Sequence, residues 1–136
     1  MTWEELNEVR SLNDDLKSAE RLLGILRLSA GVKVPVNDGM PHSPSTTSRV
    51  EIMTVRIVDL TREIAELKEK IIATMPILKA KIQASVEDKT ARKIFTLRYV
   101  DCMHFRDIGI ALDYSERHIY YVHRLTLAKL GIAENY

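Results

Sequence analysis

The 136-residue sequence has a single cysteine, Cys102. A lone thiol cannot close an intramolecular disulfide, so the composition suits a reducing cytosol, and Cys102 reads as a spectator loop thiol rather than a nucleophile. Long apolar runs are missing too. No segment approaches the roughly 20 residues of a membrane span. The opening MTWEELNEVRS is acidic, unlike a signal or transit peptide. A strong charge of one sign is also lacking: 20 Lys and Arg against 19 Asp and Glu leave a net charge of +1. The whole chain is therefore not an obvious polyanion binder. Its charge is uneven, however. Residues 1–76 hold 10 basic and 12 acidic residues, and residues 77–136 hold 10 and 7, with three of the four histidines. Any nucleic-acid contact should fall in the C-terminal half. Aromatics make up only 6%, and they crowd between Tyr99 and Tyr121. Gly-rich phosphate loops, paired carboxylates on a shared face and nucleophile elbows are absent, so no enzyme and no cofactor are expected.

What is present is helical periodicity. Thr2 and Glu5 have the spacing of a capping box, in which each side chain takes the other's backbone N–H. Val9, Leu12, Leu16, Ala19, Leu23, Leu26 and Ala30 follow in steps of three and four, one seam of a helix ending near Gly31. GVKVPVNDGMPHSPSTTS, residues 31–48, carries three prolines and two glycines and reads as a flexible loop. Ser48 and Glu51 form a second capping box. Val50, Met53, Ile57, Leu60, Ile64, Leu67 and Ile71 then repeat over three heptads. The two helices are expected to fold into a hairpin. Leftover apolar positions (Ile52, Val55, Val58 and Ile72) widen the stripe and favour self-association, since two helices alone bury little. Pro76 is expected to break the pattern, separating an oligomerising arm, residues 1–75, from a C-terminal domain, residues 77–136.

The C-terminal part reads as short helices. Ile77, Ala80, Ile82 and Val86 suggest one segment. Asp88 is a plausible cap for the next, with Ala91, Ile94, Phe95 and Leu97 inward, and DCMH breaks it. FRDIGIAL offers Phe105, Ile108, Ala111 and Leu112, with small Gly109 and Ala111 allowing a close crossing. Asp113 stands where a turn needs a left-handed residue, and Ser115 caps a helix reaching Leu130. A short helix, a turn and a longer helix outline a helix-turn-helix. The last stretch, LDYSERHIYYVHR, packs three tyrosines, two histidines and two arginines into thirteen positions. At 100° per residue it divides. Ile119, Val122, Thr126 and Leu130 fall inward with Leu127 at their edge and His123 beside them. Arg117, Tyr121 and Arg124 fall outward, flanked by His118 and Tyr120, and Tyr114 lies in the turn. His118 and His123 diverge too far to ligate one metal, so no metal is expected. A buried tyrosine-rich core helix would have to bury both arginines, which is costly. An outward face that reads double-stranded DNA makes better sense than that, or than plain solvated surface.

ARKIFTLRYVDCMHFRDIGIALDYSERHIYYVHRLTLAKLGI resembles the fourth conserved region of bacterial sigma-seventy-type factors, the helix-turn-helix that reads the −35 promoter element. The whole arrangement is similar to small phage-encoded regulators of the RinA and ArpU type, activators of late or packaging genes. This resemblance implies an all-α fold, DNA and host RNA polymerase as partners, and a bacterial cytoplasm. It implies that Ser115 sits at the capping Ser/Thr position, that Glu116, Arg117 and His118 occupy the base- and phosphate-contacting run, and that Tyr121 replaces a polar contact one turn later; with Tyr114, Tyr120 and Arg124 from the winding, these complete the expected DNA-contacting set. Gly109 stands for the family's alanine, Asp113 for its glycine, and Glu116-Arg117 reverses a common order. The framework therefore transfers better than the base preference. The promoter-melting parts of a full sigma factor have no room here. Two rival readings remain: a small-subunit-like DNA-packaging protein of a phage terminase, and an adaptor that grips polymerase without binding DNA.

Overall fold

At the N-terminus the capping box forms as expected: Glu5 N–H donates to Thr2 Oγ1 at 3.2 Å, and Thr2 N–H donates to Glu5 Oε2 at 3.1 Å. It opens α1, Trp3–Val32. The computed structural model describes residues 1–32 and 44–134, whose regular elements are all helices: α1, α2 (Pro44–Ser85), α3 (Lys89–Phe95), α4 (Phe105–Leu112) and α5 (Glu116–Leu130). A π-helical turn, Thr96–Val100, continues α3. No described helix is long and apolar enough to cross a membrane. The chain divides into two compact units, Met1–Asn13 with Lys70–Tyr136, and Asp14–Glu69.

Three sequence expectations need correction. First, α2 does not break at Pro76 but runs on to Ser85, absorbing the segment expected as a separate helix from Ile77. Proline removes the N–H that would meet the Ile72 carbonyl, at a cost of about 3 kcal/mol. Beyond the proline, Leu78, Ile82 and Val86 are almost completely buried. Each contributes about 1.5–3 kcal/mol, so the helix that carries them inward prevails. Ile77 and Ala80, expected to face inward, are exposed. Second, α2 begins at Pro44, so Ser48 is not its first residue; Gly31 and Val32 belong to α1. Of the expected 31–48 loop, residues 33–43 lie outside the described residues. Third, Met1–Asn13, read as part of the arm, cluster with the C-terminal residues, where Leu6 and Val9 are wholly buried.

In the unit Asp14–Glu69, Ala19, Leu23 and Leu26 of α1 pack on Leu60 and Ile64 of α2, flanked by Leu16, Ile57 and Leu67. Glu20 meets Lys68 at 3.9 Å, while Leu26 shares a cleft with Arg56 and Leu60, so the segments run antiparallel. Eight of the expected heptad positions supply this seam, whereas Val9 and Ile71 pack in the other unit and Val50 is exposed. Ile25, Leu28, Ile52, Val55 and Val58 are each more than half exposed.

The other unit has one core. Leu6 and Val9 of α1 join Leu78, Ile82, Ala91, Ile94, Phe95, Tyr99, Val100, Ile108, Ile119 and Leu127. Asp88 starts α3 by accepting the Ala91 N–H at 2.9 Å. In the π turn Asp101 N–H reaches back five residues to the Thr96 carbonyl at 3.1 Å. The widened turn carries both Tyr99 and Val100 into the core. Cys102 then adopts a left-handed φ of 57°, which ends the segment where DCMH was expected to.

Candidate nucleic-acid interface

Short-range chemistry sets the approach to α5. Asp113 takes the left-handed conformation, φ 60° and ψ 44°, ending α4, and Tyr114 N–H donates to the Gly109 carbonyl at 2.9 Å. This brings the turn so close that a Cβ on Gly109 would lie 2.7 Å from the Tyr114 carbonyl oxygen. Only glycine fits there without moving backbone. Ala111 does not share that role, because it is exposed rather than inward. Ser115 Oγ accepts the His118 N–H at 3.1 Å and starts α5. Gly131, at φ 69°, ends it.

The helix then divides as the 100° winding predicts. Ile119, His123, Thr126 and Leu127 are buried. Glu116, Arg117, His118, Tyr120, Tyr121 and Arg124 are exposed, as are Tyr114 and Ser115 in the turn, so all eight expected residues lie on the surface. Tyr121 is 64% exposed, a large aromatic held in water. Among the described residues no carboxylate lies within 4.0 Å of Arg117 or Arg124. Among those residues both charges have no ion-pair partner, the condition for meeting phosphate or the guanine edge.

Two of the aromatics are braced rather than loose. Tyr114 packs on His118 with centroids 4.9 Å apart, and Tyr120 packs on Phe105 at 4.4 Å. Behind Phe105 lies the Arg98 guanidinium, 4.1 Å above the ring, whose Nη1 donates to the Met103 carbonyl at 3.0 Å. Burial, and then Arg10, hold the Arg98 pKa below its ordinary value. Under α5, His123 Nε2 is hydrogen-bonded to the Tyr99 hydroxyl, and the ring sits 5% exposed among Phe95, Tyr99 and Phe105. Burial lowers its pKa from 6.5 to about 4; Glu134, 4.0 Å from Nδ1, opposes that shift, and Arg98 and Arg10 add to it. His123 is therefore a neutral anchor at physiological pH.

Sequence reasoning missed Trp3, Arg10, Arg98 and Phe105, which surround this end of α5. Arg98 and Phe105 could have been suspected from their place beside the turn-breaking DCMH. Nothing in local pattern could bring Trp3 and Arg10, about ninety residues upstream in sequence, to the same place. Among the described residues no group of three or more His, Cys, Asp or Glu could hold a metal ion. No protein-family model, no curated protein and no solved structure matches the chain.

Proposed function

We propose that the protein is a sequence-specific DNA-binding transcriptional regulator whose α4–turn–α5 is a helix-turn-helix, with α5 lying in the major groove. The observation that carries this reading is the outward face of α5: Arg117, Tyr121 and Arg124 project from a helix whose opposite side is locked into the core by Ile119, His123 and Leu127. Unpaired arginines on a rigid helix can fork onto guanine edges or phosphates, and tyrosine can donate to phosphate or pack on thymine methyls. The resemblance of the LRYVD to LAKL framework to sigma region 4 supports the same reading. It points to promoter recognition beside a host polymerase, as in phage activators of late or packaging genes.

The antiparallel α1–α2 pair is read as a helical hairpin that self-associates. Ile25, Leu28, Ile52, Val55 and Val58 supply apolar surface outside the pair's own seam. Pairing two domains raises effective affinity and sets a half-site spacing, which a chain of net charge +1 needs more than a strongly basic one. The reading is tested by Arg117→Ala and Tyr121→Ala in gel shifts on a selected site. Each should weaken specific binding by about tenfold or more, since a bidentate contact is worth ~1–3 kcal/mol, and leave circular dichroism unchanged. Shifts identical to wild type would refute it. A closed ring with packaging-site preference would favour the terminase reading, and polymerase capture without DNA binding would favour the adaptor.

A further inference from the structure

A cavity of about 440 Å³ opens beside the middle of α5, a size usual for small-molecule pockets. Three arginines from different parts of the chain line it: Arg10 of α1, Arg98 of the π turn and Arg124 of α5. Among the described residues, none of the three has a carboxylate within 4.0 Å. The cavity's one acid, Glu134, already lies 4.0 Å from His123 Nδ1. Arg98 is the most constrained of the set. Its Nε is shut off from solvent and, among the described residues, has no hydrogen-bond partner, and burial and the nearby Arg10 both disfavour its charge. Three cations lining one cavity repel one another unless an anion sits among them. The other walls are flat rings, Trp3 and Tyr120 among them.

We propose that this cavity binds a mononucleotide, its phosphate held by Arg10, Arg98 and Arg124 and its base packed against the aromatic walls. Phosphate fits better than a carboxylate because it carries close to two negative charges at neutral pH and offers three oxygens to three guanidinium forks. Base-on-ring packing tolerates any base, so selectivity for the phosphate should exceed selectivity for the base. The nucleotide can be free in solution or part of an unpaired nucleic-acid strand, whose phosphodiester brings one charge and two free oxygens to the same arginines. This site shares Tyr120 and Arg124 with the face proposed to read DNA, but Arg10, Arg98 and Trp3 lie outside that face, so the inference does not depend on duplex reading.

Trp3 is the only tryptophan and lines the cavity, so its fluorescence reports occupancy. The full chain is titrated with adenosine 5′-monophosphate, thymidine 5′-monophosphate, adenosine, inorganic phosphate and a short single-stranded oligodeoxynucleotide, with calorimetry in parallel. Both monophosphates should saturate the signal, with adenosine at least about tenfold weaker, the loss expected for removing charge-assisted hydrogen bonds. Arg10→Gln, at a half-buried position, and Arg98→Lys, which keeps the charge but loses the fork, should each weaken nucleotide binding about tenfold. Arg117→Ala should not change it. If Arg98→Lys fails to fold, Arg10→Gln still decides. Oligonucleotide binding that Arg10→Gln weakens, without mononucleotide binding, supports the site and identifies a nucleic-acid strand as the source. Equal binding of adenosine and its monophosphate, or no saturable response to any phosphorylated ligand, would overturn the proposal.

Discussion

Acidification should loosen the unit that carries α5, and His123 should be the reason. Its ring is buried among Phe95, Tyr99 and Phe105, with Nε2 bonded to the Tyr99 hydroxyl. The folded pKa is about 4 against 6.5 for the unconstrained side chain, because burial opposes the charged form. Between those two values the unfolded chain binds a proton that the folded chain refuses. Stability therefore rises with pH across that window: it is fully present above 6.5 and is lost as pH falls toward 4. At 1.36 kcal/mol per pKa unit the shift is worth about 3 kcal/mol. That is a large part of the ~5–15 kcal/mol by which domains are usually stable. Urea unfolding followed by Trp3 fluorescence measures it, since Trp3 meets the Tyr99 ring edge-on at 6.5 Å. Carboxylates titrate in the same range, so the comparison is with His123→Gln, which cannot take up the proton. The advantage of wild type over His123→Gln should shrink by about 2–3 kcal/mol between neutral pH and about pH 4.5. If the two proteins lose stability in parallel, His123 is not the buried titrating group and the reasoning fails.

Three further outcomes follow from the packing. Gly109→Ala should cost about 1–3 kcal/mol in chemical denaturation, because its Cβ would meet the Tyr114 carbonyl oxygen and the turn must shift; a neutral result would mean the turn is looser than described. Pro76→Ala should stabilise by up to about 3 kcal/mol, since α2 already continues past that position and the substitution restores its missing hydrogen bond; a loss of stability would show that the proline itself favours the folded chain. The pair Ile25→Glu and Val55→Glu, both on exposed positions, should lower the oligomeric state in light scattering while leaving helicity intact; a wild type that is already monomeric at micromolar concentration would remove the self-association reading.

Most of what could be foreseen depended on chemistry within a few residues. Thr2 with Glu5, Asp88 and Ser115 each cap the helix they precede, and Asp113 takes the left-handed turn, because each needs only its neighbours. Winding α5 separated Ile119 and His123 from Arg117, Tyr121 and Arg124 because the helix is regular and one side is apolar. Pro76 misled because local propensity weighs one lost hydrogen bond, whereas the fold weighs the burial of Leu78 and Ile82 beyond it. The arginine-lined cavity was not legible at all. It needs Arg10, Arg98 and Arg124 together, and their meeting depends on packing between residues far apart in sequence. Tyr99 was visible as one of a crowd of aromatics, but its bond to His123 depends on a π turn that no periodic pattern announces.

The central claim is that the outward face of α5 reads a DNA sequence. Random-sequence selection with the purified full chain tests it most directly, run beside the Arg117→Ala and Tyr121→Ala variants. Wild type should enrich one motif, promoter-like or repeated at a fixed half-site spacing, and both variants should lose it while remaining folded. A wild-type protein that enriches no motif, or variants that enrich the same motif equally well, would contradict the account.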